Sequence, residues 1–298
     1  LKSDFDVSLY TDARGVKYIP KEFKKTIFEV KKIPEKKYMF PLKIIFLFFA
    51  FIKSLIHFSG NKIDIVIPTI SKDFDTLELL IESLMYVQHK VNKIYIVSPQ
   101  NDKIVEFCKA NNIKYYRGSE DDVLDRISSM IEENNIDIHV ECFGDSPLTD
   151  PHIVDEVIGY YLKNKDKVDF VSNSLTTTYP PGQEVLVYDG KCLIEANKTI
   201  AKNEPLREHV SIHMTQNPKK YKLVNLVAPT YYNFPEIYLE VDTPEDFEMI
   251  SNIFSYFDKK GLSHFSLAQI LDFLLENEDL IKMNNKVERR WKEFRKDD

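Results

Sequence analysis

Ile63-Asp-Ile-Val-Ile-Pro68 decides how the rest of the chain is read. A short β-branched apolar run closed by proline is too brief for a helix and reads as a strand buried on both faces. Working outward, Asp75–Tyr86 has its leucines and isoleucine at helical spacing, and Lys93-Ile-Tyr-Ile-Val-Ser98 returns to a strand pattern. The alternation continues: helix over Asp102–Asn111, strand over Ile113–Tyr116, helix over Asp121–Asn134 and strand over Ile136–Cys142. Strands separated by helices of this size imply βαβ units, a mostly parallel sheet covered on both faces, and right-handed crossovers. Ligands then sit outside the carboxyl ends of the strands. This directs attention to Pro68–Asp75, Arg117–Arg126 and Gly144–Pro151. Beyond residue 160 the pattern is less regular, with strands predicted near Asp169–Ser172, Glu184–Tyr188, Tyr221–Val227 and Tyr238–Val241. Helices are predicted over Pro244–Lys259 and Ser266–Glu276, and the charged run Lys286–Asp298 reads as a solvated helix.

Composition narrows the function classes. The 298 residues are 43% apolar and 29% charged, values of an ordinary globular protein, and the net charge of −7 argues against nucleic acid as a partner. Three cysteines without C-x-x-C spacing fit a reducing cytoplasm better than a disulfide framework or a zinc site. Neither a Rossmann nor a P-loop glycine pattern is present. Charge is unevenly spread. Residues 1–60 hold twelve Lys/Arg against six Asp/Glu, a balance of +6 that leaves −13 for the remainder. Within them, Phe40–Phe58 is apolar and aromatic, but the run between Lys43 and Lys53 is too short for a bilayer span of about 20 residues. Two readings stand: a helix docked on the main domain, or a peripheral membrane or partner contact through residues 40–58. The chain accordingly divides into an N-terminal extension (1–60), an α/β domain (61–288) and a charged tail (289–298).

Four constellations could carry chemistry. Gly144-Asp-Ser-Pro-Leu-Thr-Asp-Pro151 follows a strand and places Asp145 at the sheet edge; it is also a good turn sequence. Glu240-Val-Asp-Thr-Pro-Glu-Asp246 offers Asp242, in what is equally an efficient helix start. Together Asp145 and Asp242 form a carboxylate pair able to hold Mg²⁺, which keeps waters and takes phosphate oxygens. Arg117-Gly-Ser-Glu-Asp-Asp-Val-Leu-Asp-Arg126 leads into a helix whose N-terminal amides suit phosphate or ribose, or is simply a capped helix with a charged first turn. Leu206-Arg-Glu-His-Val210 supplies Arg207, a fork-shaped donor for carboxylate or phosphate, and His209, a proton carrier; the alternative is a surface ion-pair cluster.

The succession of these motifs is more specific than any one of them. With Ser172-Asn173, Tyr179-Pro-x-Gly-Gln-Glu-Val185, Phe265-Ser-Leu-Ala-Gln-Ile-Leu and Asn284-Asn285 in the same order, residues 62–288 resemble the cytidylyltransferases of the spore-coat polysaccharide (SpsF-like) type. These are relatives of the enzymes that make CMP-Kdo and CMP-sialic acid. The resemblance implies a glycosyltransferase-A-like (nucleotide-diphospho-sugar transferase) α/β three-layer sandwich, a homodimer, and Mg²⁺-dependent transfer of CMP from CTP to a sugar or sugar acid of a surface polysaccharide, with pyrophosphate released. By matched motif, Asp145 and Asp242 would ligate Mg²⁺. Gly118, Asp125 and Arg126 would lie along the nucleotide, and Gln183, Glu184, Arg207 and His209 would line the acceptor pocket.

The first loop departs from the family pattern. Members carry Ala-Arg-x-x-Ser-x-Arg-Leu-Pro-x-Lys after the first strand, whereas here Pro68-Thr-Ile-Ser-Lys-Asp-Phe-Asp75 offers only Lys72 to a triphosphate. Asp-Ile-Val-Ile-Pro-Thr looks more like the opening of a family-2 glycosyltransferase. Two alternatives are therefore kept: a glycosyltransferase using a nucleotide-sugar, and a family member without catalysis.

Overall fold

The computed structural model describes residues 63–69, 74–89, 91–99, 102–208, 210–289 and 292. The expectations placed on residues 1–60, on Lys72 and on His209 lie outside the described residues. The chain begins β1 (Ile63–Pro68), α1 (Phe74–Leu84), β2 (Val91–Ser98), α2 (Asp102–Ala110), β3 (Lys114–Arg117), α3 (Val123–Asn134) and β4 (Ile138–Glu141), as the alternation predicts. It continues through α4 (Pro151–Asn164), β5 (Phe170–Ser172), β6 (Leu186–Asp189), α5 (Lys191–Thr199), α6 (Ile212–Thr215) and β7 (Leu223–Asn225). Three helices follow, α7 (Pro244–Lys259), α8 (Leu267–Glu276) and α9 (Glu278–Asn284).

The seven strands form one sheet of order β3-β2-β1-β4-β6-β5-β7. It is parallel except where β6 runs against β4 and β5. Period-2 alternation makes β1 the centre of two cores. Ile63, Ile65 and Ile67 pack with α1, α2, α4, α7 and α8 on one face, while Val66 packs with α3, α5 and α6 on the other. The buried Asp64 is satisfied by Asn92 Nδ2 at 2.8 Å. The result is the expected three-layer sandwich.

Topology fixes where a ligand can bind. From β1 the chain steps outward to β2 and β3 with α1 and α2 on one face, then returns with α3 on the other to set β4 beside β1. Right-handed crossovers require that change of face when direction reverses. The reversal opens a crevice between the carboxyl ends of β1 and β4. At that point the Cys142 amide donates to Val66 O at 3.1 Å, and Gly144–Asp150 emerges just beyond.

Two expectations are corrected. Tyr238–Val241 is not a sheet strand. It is a buried strap whose Leu239 and Val241 amides donate to Pro181 O (2.7 Å) and Asp145 O (2.8 Å), so its backbone is satisfied by loops. Its apolar, half-alternating pattern signals burial without specifying the partner. The tail is not uniformly solvated either, because Arg289 is buried at 3% exposure against the strap and the start of α7. Among the described residues no helix is long and apolar enough to cross a membrane, and Cys108, Cys142 and Cys192 are free.

Candidate active site

Asp145 is held by the turn that carries it. Thr76 Oγ1 donates to Gly144 O at 2.7 Å, Ser146 N to Phe143 O at 3.1 Å, and Ser146 Oγ to Asp145 Oδ1 at 3.2 Å. The carbonyl of Asp145 accepts from Val241 N–H, so Asp242, the next residue, lies on a segment hydrogen-bonded to the Asp145 backbone. Two acids from distant parts of the sequence are thus brought to one crevice edge, Asp145 half-buried and Asp242 exposed.

The strap is seated by Gly182. Its φ of +100° is left-handed, and a Cβ there would stand 2.5 Å from Leu239 C and 2.7 Å from Glu240 N. Only glycine permits that crossing. Past the strap, Thr243 caps α7 in a reciprocal box with Asp246, and Pro244 occupies the first turn. Asp246 is fully buried. Its Oδ2 accepts from the amides of Asp242 (3.0 Å) and Thr243 (2.9 Å), from Thr243 Oγ1 (3.0 Å) and from Arg289 Nη1 (3.0 Å). Its Oδ1 accepts from Asn284 Nδ2 (2.8 Å) and Arg289 Nη2 (2.6 Å). Burial alone would raise its pKa, but the bonds from Arg289, Asn284 and the Asp242 amide outweigh it and hold the carboxyl below its usual range.

On the other side, Gly118 and Arg126 belong together. A Cβ on Gly118 would meet Arg126 Cγ at 2.6 Å, so glycine lets the Arg117–Ser119 loop lie on that side chain. Arg126 is buried and donates through Nη1 to Ser119 O; burial lowers its pKa, with Glu120 opposing. Asp122 caps α3 through the Asp125 amide at 2.9 Å. Asp125 accepts from Lys202 Nζ (2.8 Å) and Asn197 Nδ2 (3.0 Å), and these bonds lower its pKa.

Two predicted acceptor contacts are instead engaged internally. Arg207 is buried with its fork directed inward: Nε reaches both Asp122 oxygens at 3.0 Å, Nη1 reaches Ile200 O at 3.1 Å, and Nη2 reaches Asn197 Oδ1 and Asp122 Oδ2. It therefore anchors the α3 N-terminus rather than offering a fork to an acceptor. Gln183 is likewise buried, its Nε2 on Leu148 O (2.7 Å) and its Oε1 receiving Asp150 N–H (2.9 Å), so it braces the Asp145 loop. Glu184 is half-buried and receives the Gly182 amide at 2.7 Å. Asp122, Asp246 and Arg289 were given no role by the sequence reading; Asp246 had a signal, being the acid three residues past the Thr243 cap.

Comparisons with known proteins bear on the fold and the family. The chain is 32% identical over 217 residues to an uncharacterized protein of Methanocaldococcus jannaschii, covering 72% of this chain and 85% of that one. It is 26% identical over 200 residues to the spore coat polysaccharide biosynthesis protein SpsF of Bacillus subtilis, covering 66% and 80%. The fold is similar to that of a cytidylyltransferase from Leptospira borgpetersenii, with a TM-score of 0.69 at 23% identity over 77% of this chain and all of that one. The cytidylyltransferase family pattern matches residues 77–280, spanning β2 to β7, the strap and both acids, and the chain belongs to that family of nucleotidyltransferases.

Proposed function

We propose that the chain transfers CMP from CTP to a sugar or sugar-acid precursor of a surface polysaccharide, releasing pyrophosphate, with Mg²⁺ held by Asp145 and Asp242. The observation that supports this reading is the Val241 N–H to Asp145 O bond, which ties the backbone of the segment bearing Asp242 to the Asp145 turn. The donor set suits the metal: both are hard oxygen donors, and the described residues contain no group of three or more His, Cys, Asp or Glu that would cage an ion. A two-carboxylate site leaves positions for waters and triphosphate oxygens. When bound, Mg²⁺ neutralises triphosphate charge and orients the α-phosphorus for in-line attack.

The chain's own residues do the positioning. The α3 N-terminus and the Gly118 loop, fixed by Arg126, Asp122 and Arg207, form the nucleotide side of the crevice. Glu184 and His209 are assigned to the acceptor side and Lys72 to the triphosphate. The likeness to SpsF is what supports a surface-glycan acceptor.

Pyrophosphate release tests the reading directly. Asp145→Asn and Asp242→Asn should each lower turnover by roughly two orders of magnitude or more while the fold survives. Turnover at the wild-type rate in either would remove that residue from the metal site. A thermal-shift panel with Mg²⁺ tests the donor: CTP should stabilise the chain, and stabilisation by a nucleotide-sugar alone would favour the glycosyltransferase alternative.

A further inference from the structure

We propose that Arg289 is a positioning residue for the metal-binding Asp242, acting through the buried carboxylate of Asp246. The proposal rests on the reading of Asp242 as a metal ligand. Arg289 lies in the charged tail, beyond the stretch matched by the family pattern, which ends at residue 280.

The connection is continuous. The two terminal nitrogens of Arg289 make paired bonds to the two oxygens of Asp246, at 3.0 and 2.6 Å. The same Asp246 Oδ2 receives the amides of Asp242 and Thr243. One carboxylate therefore fixes the backbone of the ligand-bearing residue on one side and is itself fixed by guanidinium on the other. Asn284, at the end of α9, completes the shell and also donates to Tyr238 O at 3.0 Å. Arg289 further reaches Glu240 at 3.4 Å and lies over the Tyr238 ring, 4.5 Å from its centroid, while Lys292 bonds Tyr238 Oη at 2.8 Å. Asn284, Arg289 and Lys292 thus clasp the strap and the start of α7, and Asp242 lies between the two.

A planar fork is needed because two oxygens must be held at once while other donors occupy them. Lysine supplies the charge from a single point and cannot reproduce the pair. Without the fork, Asp246 is a buried carboxylate with reduced compensation. It can move away, and the Asp242 amide then loses its fixed acceptor.

The test is Mn²⁺ binding to the whole chain with α,β-methylene-CTP, followed by electron paramagnetic resonance, so no turnover is required. Arg289→Met should weaken Mn²⁺ binding on the order of ten-fold or more, the scale expected when a group orienting a metal ligand is lost. Arg289→Lys should show a smaller but measurable weakening. Circular dichroism and melting curves identify the folded variants; if Arg289→Met does not fold, Arg289→Lys carries the test. Wild-type Mn²⁺ affinity in a folded Arg289 variant, with Asp242→Asn losing the ion, overturns the role of Arg289 alone. Wild-type affinity in Asp242→Asn instead overturns the metal assignment and this proposal with it.

Discussion

Two regions flank the crevice, and each places a buried arginine on an aspartate at a helix start. At α3 the pair is Arg207 and Asp122; at α7 it is Arg289 and Asp246. Asp122 keeps 19% of its side chain exposed and shares its surroundings with the solvated Lys202, whereas neither side chain of the α7 pair is exposed. The glycines repeat the contrast. Gly118 makes room for a side chain, that of Arg126, and Gly182 makes room for the strap's backbone. The α3 side is therefore locked through side chains, and at Gly182 the strap side is locked through backbone. Adjustable contacts suit the surface that meets a ligand, and rigid ones suit the surface that must hold a charged residue in register.

That contrast can be broken most forcefully at the ion pairs. Asp246→Ala takes from the buried Arg289 its paired bonds, leaves it only the longer contact to Glu240, and should destabilise the protein by about 3–5 kcal/mol in urea unfolding. Asp122→Ala removes a partly exposed partner and leaves the buried Arg207 its bonds to Ile200 O and Asn197 Oδ1, so it should cost about 1–3 kcal/mol. Equal losses would erase the distinction between the regions.

The glycines give the next largest effect. Gly182→Ala must adopt a left-handed φ and displace the strap backbone, for a loss of about 2–4 kcal/mol together with impaired metal binding. Gly118→Ala keeps an ordinary φ and meets Arg126 at Cγ (2.6 Å), Cβ (3.0 Å) and backbone Cα (3.3 Å), so it should cost less, about 1–2 kcal/mol. A Gly118 variant as damaged as the Gly182 variant would show that the α3 loop is as rigid as the strap.

The smallest effect sharpens the comparison by pH. Lys202 and Asn197 lower the folded pKa of Asp125, so the stability they confer is present above the unfolded value of about 3.9 and is lost as pH falls through the lower folded value. Because both groups are partly exposed, the total is at most about 1 kcal/mol. Lys202→Met should remove it at pH 6 and change nothing at the lowest pH where the fold persists; a difference that survives there would assign Lys202 another role.

The comparison also shows why parts of the molecule were legible from sequence. The β1 to β4 half is written in periodicity: each strand is a short apolar run, each helix has its own face, and the topology follows from crossover handedness. The local settings of Asp145 and Asp242 were legible, because a turn after a strand and a Pro-started helix are written in the residues themselves. Arg207 and Gln183 were misassigned because sequence shows that a side chain can donate and not what already accepts from it. The strap was misassigned as a strand for the same reason: a buried apolar run needs hydrogen-bond partners, and only the fold shows that Pro181 and Asp145 supply them. Arg289 looked solvated because its neighbours are charged, and nothing local signals a partner as far off as Asp246.

The bond from Val241 to Asp145 has a kinetic corollary. β1 pairs with β2, its neighbour in sequence, whereas the Val241 bond to Asp145 forms only after β5, β6, α5, α6 and β7 have been passed. Contacts of such long sequence separation form late, since their loop-closure entropy must be met first. A refolding chain should therefore recover its sheet before the segments bearing Asp145 and Asp242, the proposed ion ligands, are joined. The Val241 amide reports that moment: in pulsed hydrogen exchange its protection should rise in step with metal binding and lag behind the amides of β1 and β2.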